Sequence, residues 1–323
     1  MKKLSILYLS IVVTLLIIPA SLQAEEPVFP QRAIEIIVPM QPGGTLDIAT
    51  RLASDQFGKE LKVPVVVVNK PAASGATGTA GVAKGKPDGY TLLAGTLANL
   101  VMVYFFQENV SYNAQKDFLP LAYAGESPSL LVVKSTAPWK TFKELMDYAK
   151  ANPGQLSFAA AGGVASTSAM NMQLIREKTG ADIASVIYEG GGPALIAVLG
   201  GHVQMTSAGY PVLQPHIKAG TLRPLATSKK IPALPGVPTF AELGFPEVLV
   251  NWSGFFAPAK ISKGVNEKLL RAFDRALKNP ATMAKLEKAG YIPETKTPAE
   301  IAELVKNQYT VVARMMKSNR LKK

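Results

Sequence analysis

The chain has 323 residues, with 35 Lys+Arg against 23 Asp+Glu, no cysteine and 48% apolar residues, a composition that excludes disorder for most of its length. Zero cysteine excludes a disulfide framework, thiolate catalysis, a cysteine-ligated zinc or iron–sulfur site, and a lipid anchor on an N-terminal cysteine. The excess of 35 − 23 = +12 charges is scattered. Its densest groups, Lys229-Lys230 and the tail at residues 320–323, carry no interleaved aromatics, so a solvated basic surface suited to anionic solutes is preferred to a nucleic-acid partner.

Lys2 and Lys3 precede an apolar run at residues 4–18 that ends at Pro19 and a short polar stretch. This is the layout of a secretory signal peptide, residues 1–24 with cleavage after Ala24; the run is short for a bilayer-spanning anchor, which is the alternative. Removing the leader takes away two lysines and leaves 323 − 24 = 299 residues with 33 − 23 = +10 charges. A chain of that length is expected to form two lobes.

Short β-rich runs then alternate with helical periodicity. Residues 34–39 (IEIIVP), 63–69 (VPVVVVN) and 90–94 (YTLLA) read as strands. Between the first two, Leu46, Ala49, Leu52, Ala53 and Phe57 share one face of a helix over residues 45–61. This is βαβ order, and continuous apolar strands suit a mainly parallel sheet flanked by helices on both faces. A second α/β unit begins near residue 127: a strand at 130–134, a helix opened by the capping-box spacing of Thr141 and Glu144, and a strand at 156–160. The Pro-rich stretch at 232–246 is a structured loop or a return crossing. The last seventy or so residues read as helices at 265–278 and 281–289, then a final one opened by Thr297, Pro298 and Glu300. There is no internal repeat of 20–50 residues.

Three glycine turns stand between strands and helices: PMQPGGTLD at 39–47, AAGGVAST at 160–167 and YEGGGP at 188–193. Glycine lets backbone N–H groups face a ligand with no Cβ in the way, and a helix N-terminus attracts anions. A single such turn is equally well a tight connection; three spread over two units are better explained by a shared anion cleft. Hydrogen bonds to a charged group contribute about 1.5–3 kcal/mol each, so four or five reach roughly micromolar binding, about 8 kcal/mol, with no lysine or arginine required. Asp47 in the first helical turn either complements the helix dipole or accepts from a ligand or water.

No catalytic residue is expected. The sequence has neither G-x-S-x-G nor H-E-x-x-H, and its two histidines, His202 and His216, stand in turn-like settings. AGVAKGKP at 80–87 and GATGTAG at 75–81 match neither the phosphate-loop nor the dinucleotide pattern. No cofactor or metal is expected.

The blocks VPMQPGGTLD at 38–47, VVVNKP at 66–71, PDGYT at 87–91, FAAAGGVAS at 158–166, YEGGGPA at 188–194, LPGVPTFAE at 234–242 and Trp252-Ser253-Gly254 occur in order along the mature chain. This series resembles that of the tripartite tricarboxylate transporter substrate-binding proteins, the Bug receptors. The resemblance implies an α/β, two-lobed periplasmic binding protein fold of the second type with ligand in the interlobe cleft. The expected lobes are residues 25–126 with 251–323, and residues 127–250. It also implies a monomeric periplasmic receptor that delivers a small organic carboxylate to membrane permease subunits. Sensing for a membrane histidine kinase, or a secreted enzyme acting on an anion, are the alternatives.

Carried over position by position, the resemblance points to Met40, Pro42, Gly43, Gly44, Thr45 and Asp47, to Ala73 and Gly75 after Asn69, and to Gly162, Gly163, Ser166 and Gly191 facing them. Thr96 and Asn99 are candidates from their place after the third strand. The chain departs from the family pattern at Met40, usually aromatic, at Ala72 to Gly75, usually richer in glycine, at Glu189, usually basic or neutral, and at Gln204, usually Asp. Glu189 either faces solvent or selects a ligand with a donor group.

Overall fold

A computed structural model describes residues 29–317, and from Arg32 onward the chain forms one compact unit. The leader at residues 1–24 and the basic tail at 320–323 lie outside the described residues.

The chain opens with β1 (Ile34–Val38), α1 (Thr45–Leu61), β2 (Val65–Asn69), α2 (Ala76–Ala83) and β3 (Thr91–Gly95). A widened helical turn at Ala98–Met102 leads into α3 (Val103–Phe106), and β4 (Phe118–Ser127) follows. A single residue, Pro128, separates β4 from β5 (Ser129–Lys134), the first strand of a second sheet. That sheet is completed through α4 (Phe142–Ala151), β6 (Leu156–Ala161), α5 (Thr167–Thr179), β7 (Ile183–Tyr188), α6 (Gly191–Gly200), β8 (Met205–Gly209), α7 (Tyr210–Lys218) and β9 (Leu222–Thr227). The chain returns to the first sheet as β10 (Asn251–Pro258) and ends in α8 (Lys263–Lys278), α9 (Pro280–Lys288) and α10 (Pro298–Lys317).

The strand orders are β2-β1-β3-β10-β4 and β7-β6-β8-β5-β9. In the first sheet β1 pairs in parallel with β2 and β3, and β10 pairs antiparallel with both β3 and β4. In the second, β6 pairs in parallel with β7 and β8, and β5 pairs antiparallel with β8 and β9. Both sheets are therefore mixed: four strands run one way, and the reversed strand is the one that arrives from the other sheet.

Both faces of the second sheet are covered. Along β5, Leu131 and Val133 join Phe142, Phe158 and Phe240 on one face, while Leu130 and Val132 join Val198 and Leu213 on the other; the period-two alternation of a strand divides a continuous apolar run between two layers of helix. β2 is an edge strand, and Val66 is exposed. The Thr297 box closes in both directions, with Glu300 N–H donating to Thr297 Oγ1 at 3.3 Å and Thr297 N–H to the Glu300 carboxylate at 2.7 Å; at Thr141 only half of it forms, Glu144 N–H donating to Thr141 Oγ1 at 3.1 Å while the Glu144 carboxylate takes Lys140 N–H at 2.7 Å. The Pro-rich stretch is a structured loop of the second sheet, held by a bridge between Thr239 and Thr227 and by burial of Phe240 and Phe245.

In the first sheet a stack of three rings joins helix to helix to strand. Phe57 of α1 lies 3.7 Å from Phe273 of α8, which lies 4.6 Å from Phe255 of β10. All three are almost fully buried. Phe273→Ala is expected to destabilise the protein by about 3–5 kcal/mol through the cavity it leaves, read as a lowered midpoint in urea unfolding; a loss under about 1 kcal/mol would contradict this account of the packing.

Candidate ligand-binding cleft

The C-terminal ends of strands from both sheets face one another across a cavity of about 100 Å³, the end of an α/β sheet at which ligands are usually held. Four helices begin there. Gly44 precedes α1, Ser166 precedes α5, Gly190 precedes α6 and Gly209 precedes α7, and all four residues line the cavity. The first amides of a helix have no acceptor within it. Only α5 carries a side-chain cap, with Ser166 Oγ accepting from Ala169 N–H at 3.2 Å. At α7, Tyr210 N–H donates to the Pro128 carbonyl at 2.8 Å. The amides of Thr45 and Leu46 in α1, Thr167 and Ser168 in α5, and Gly191 in α6 have no acceptor among the described residues. Three positive helix ends thus meet in a space with no lysine or arginine in its lining.

The glycine-turn amides themselves are mostly occupied. Gly43 N–H donates to Asp47 Oδ2 at 2.9 Å, Gly162 and Gly163 N–H both donate to the Tyr188 carbonyl at 2.9 Å, and Gly75 N–H donates to Ala72. What these turns supply is close approach between the two sheets. Gly163 has φ +81°, and a Cβ there would stand 2.6 Å from Ser74 Oγ on the opposite side. At Gly209 a Cβ would stand 2.6 Å from Ser127 Oγ and collide with Thr45 Oγ1.

The sequence-proposed residues divide into two groups. Met40, Gly44, Thr45, Thr96, Gly162, Ser166 and Gly191 line the cavity. Pro42, Gly43, Asp47, Ala73, Gly75, Asn99 and Gly163 do not, and several are committed elsewhere. Asn99 is fully buried, accepting from Thr96 N–H at 2.9 Å and donating to Thr79 Oγ1 at 2.9 Å, which fixes the turn after β3. Ala73 and Ser74 hold positive φ values of 49° and 53° in the loop against which Gly163 packs. Asp47 is 3% exposed. Its carboxylate takes Gly43 N–H, Asn69 Nδ2 at 2.9 Å and Arg51 Nε at 3.0 Å, while Asn69 also holds the Met40 carbonyl at 3.1 Å. Of its two roles left open by sequence, the ligand-facing one is not supported: the carboxylate fastens the first glycine turn to α1 and β2. Gln204 likewise faces away, accepting from Ser157 N–H at 2.8 Å and Oγ at 2.9 Å.

The lining also holds residues that sequence reasoning did not single out as a site. Ser129 begins β5 and Asn251 begins β10, so the floor is built from the two segments that cross between sheets. Asn251 Nδ2 donates to Ser129 Oγ at 3.0 Å, and its Oδ1 accepts from Thr167 Oγ1 at 2.7 Å. Ser253 is 2% exposed, lines the cavity, and its hydroxyl has no partner among the described residues. The only sequence signal for these was the Trp252-Ser253-Gly254 block. His202 is exposed and the His216 ring lies 3.3 Å from Thr221 Oγ1, and neither histidine is in the lining. No group of three or more metal-ligating side chains occurs among the described residues, and none of their helices is long and apolar enough to cross a membrane.

The sequence profile described as the tripartite tricarboxylate transporter family receptor matches residues 49–321. The chain belongs to this receptor family. Protein BugT of Bordetella pertussis (strain Tohama I) is 34% identical over 278 residues, 84% of each chain. Among solved structures, MatC of Rhodopseudomonas palustris with bound malate is 30% identical with a TM-score of 0.80, covering 87% of this chain and 98% of that one. Rpa4515 of R. palustris with adipate is 28% identical with a TM-score of 0.83, covering 90% and 97%. The two mixed sheets with flanking helices are the two-lobed α/β fold of the family's periplasmic binding proteins.

In this family member the Asp47 network makes the first glycine turn pH-sensitive. Burial pushes the Asp47 carboxyl up, but the hydrogen bonds from Arg51, Gly43 and Asn69 outweigh it and hold its pKa below the ordinary carboxylate value. The stability it contributes is therefore fully present above that ordinary value, near 4, and is lost as the pH falls through the lowered one. Asp47→Asn is expected to cost about 1–3 kcal/mol at pH 7, with Arg51 half exposed and screened, and the difference from the parent protein should shrink below about pH 4 in thermal melts. A difference that is unchanged between pH 7 and pH 2.5 would contradict this role.

Proposed function

We propose that the protein is a periplasmic solute receptor that captures a small organic carboxylate between its lobes and delivers it to the membrane subunits of a tripartite tricarboxylate-type transporter. One observation carries the reading: three helix N-termini with open amides converge on a cavity whose lining has no basic side chain. The malate and adipate held by the family's solved members support the ligand class.

The mechanism follows from the architecture. We take residues up to 126 together with 251 onward as one body, and 127–250 as the other. The hinge then consists of the segments around Pro128 and Val250, next to the hydrogen-bonded pair Ser129 and Asn251. A carboxylate entering the open cleft is met by the amides of Thr45 and Leu46 on one body, and by those of Thr167, Ser168 and Gly191 on the other. Contacts to the second set form only on closure, so the ligand has higher affinity for the closed state and shifts the population toward it. Each charge-assisted hydrogen bond contributes about 1.5–3 kcal/mol, enough for roughly micromolar binding after ordering costs. The lining supplies no hydrogen-bonded nucleophile–base pair among the described residues: its serines stand beside no lining histidine, lysine or aspartate, and the one lining carboxylate, Glu189, is exposed and bonded to none of them, which favours binding without turnover.

Calorimetry of the mature protein against malate, adipate, tricarboxylates and aromatic acids is expected to give saturable one-to-one binding of at least one acid, which is recovered unchanged. Absence of binding by every acid would overturn the reading. Gly163→Val, which adds a branched side chain at φ +81° against Ser74, is expected to weaken that binding about 100-fold, some 2.7 kcal/mol, whereas His202→Ala leaves it unchanged. A loss confined to the histidine variant would point to a different site.

A further inference from the structure

Residues 304–323 hold Lys306, Arg314, Lys317, Arg320, Lys322 and Lys323 and neither aspartate nor glutamate. Six of the chain's net +12 charges therefore fall within 20 of its 323 residues. In α10 the apolar positions Ile301, Val305 and Val312 are buried in the core of the first sheet. Lys306, Thr310, Arg314 and Lys317 are exposed, and their spacing of four, four and three residues puts them on the helix face turned away from that core. Lys306 has an acidic neighbour, Glu303 at 3.5 Å, whereas Arg314 and Lys317 make no ion pair among the described residues. Arg320, Lys322 and Lys323 follow in sequence directly after the described part of the helix.

Apolar side chains border this basic face. Tyr309 is 40% exposed and Val311 38% exposed. The Tyr309 ring lies 5.0 Å from Phe105 and 6.2 Å from Tyr104, two half-buried rings of α3. The charges call for an anionic partner, and the half-exposed rings for one that lets an aromatic body leave water while its polar tip stays wet. A surface of anionic lipid headgroups offers both: it attracts each nearby basic side chain cumulatively, and it accommodates tyrosine at headgroup depth. It also needs no matched residue positions, which suits charges strung along a helix and on into the chain beyond it. We propose that the outward face of α10, with the basic residues that follow it, is a docking surface for anionic lipid headgroups that holds the protein at a membrane surface. The cleft takes no part in this contact, so the proposal stands or falls separately from ligand capture.

The test is co-sedimentation of the mature protein with vesicles of phosphatidylglycerol and phosphatidylcholine in equal parts, and with vesicles of phosphatidylcholine alone, at about 100 mM salt, where charges still act over about 10 Å. Binding is expected to the anionic vesicles only, with release at about 1 M salt, where that reach falls to about 3 Å. A net basic protein adheres to anionic surfaces through charge alone, so two triple variants of equal net charge are compared. Arg314→Gln, Lys317→Gln and Arg320→Gln together are expected to weaken vesicle binding at least about tenfold. Lys263→Gln, Arg271→Gln and Lys285→Gln, on α8 and α9, are expected to weaken it by no more than about threefold. Equal losses in the two variants overturn the proposal, since the adhesion then belongs to the overall charge. Absence of sedimentation with anionic vesicles also overturns it and leaves an acidic protein as the partner this face would fit.

Discussion

A helix that begins inside a protein without a side-chain cap leaves donors that need an acceptor, and the organisation of this molecule follows from placing several such starts at one point. Gly44 and Gly190 start α1 and α6 with no cap from their own side chains. A buried donor left unsatisfied costs about 1–3 kcal/mol, so the proposed closure of the lobes would gain most when something in the cavity accepts from those amides. A carboxylate, the proposed ligand, would meet that requirement without any basic residue, the lining having neither lysine nor arginine.

Two supporting devices make the convergence possible. The Asp47 carboxylate joins Gly43, Arg51 and Asn69, holding the first glycine turn so that the amides of Thr45 and Leu46 are presented at the cavity. The bare Cα positions of Gly163 and Gly209 let loops of the second sheet meet Ser74 and Thr45 of the first. Ser129 and Asn251 lie at the start of the two reversed strands and are hydrogen-bonded to each other, which places the floor of the cavity at the hinge of the proposed mechanism.

Much of this was legible in the chain. The βαβ order, the capping boxes at Thr141 and Thr297, and the three glycine turns are local features, set by side-chain period and turn chemistry within a few residues. The less legible parts depend on long-range pairing. Ser129 and Asn251 are 122 residues apart, and nothing near either residue signals that they share a floor. The reversed strands β5 and β10 are apolar runs like their parallel neighbours, so composition does not reveal their direction. The glycine turns expected to face a ligand contribute Gly44, Gly162, Gly190 and Gly191 to the cavity lining. In the first two turns the glycine amides are taken by Asp47, Gln41 and Tyr188 and the open donors lie in the helical turns that follow, whereas in the third turn Gly191 is itself an open donor. Ser253 shows the limit from the other side: the Trp252-Ser253-Gly254 block marks its neighbourhood but not its role, and its unpartnered hydroxyl becomes visible only when the sheet is assembled.

The most direct measurement is a crystal structure of the mature protein with the tightest-binding acid of the panel. The account predicts a ligand carboxylate in the cavity between the lobes, with its oxygens about 2.7–3.2 Å from first-turn amides of both α1 and α5 or α6 and no lysine or arginine in contact. A carboxylate bound instead against basic side chains, such as Arg271 or Lys296 on the far edge of the first sheet, would contradict it.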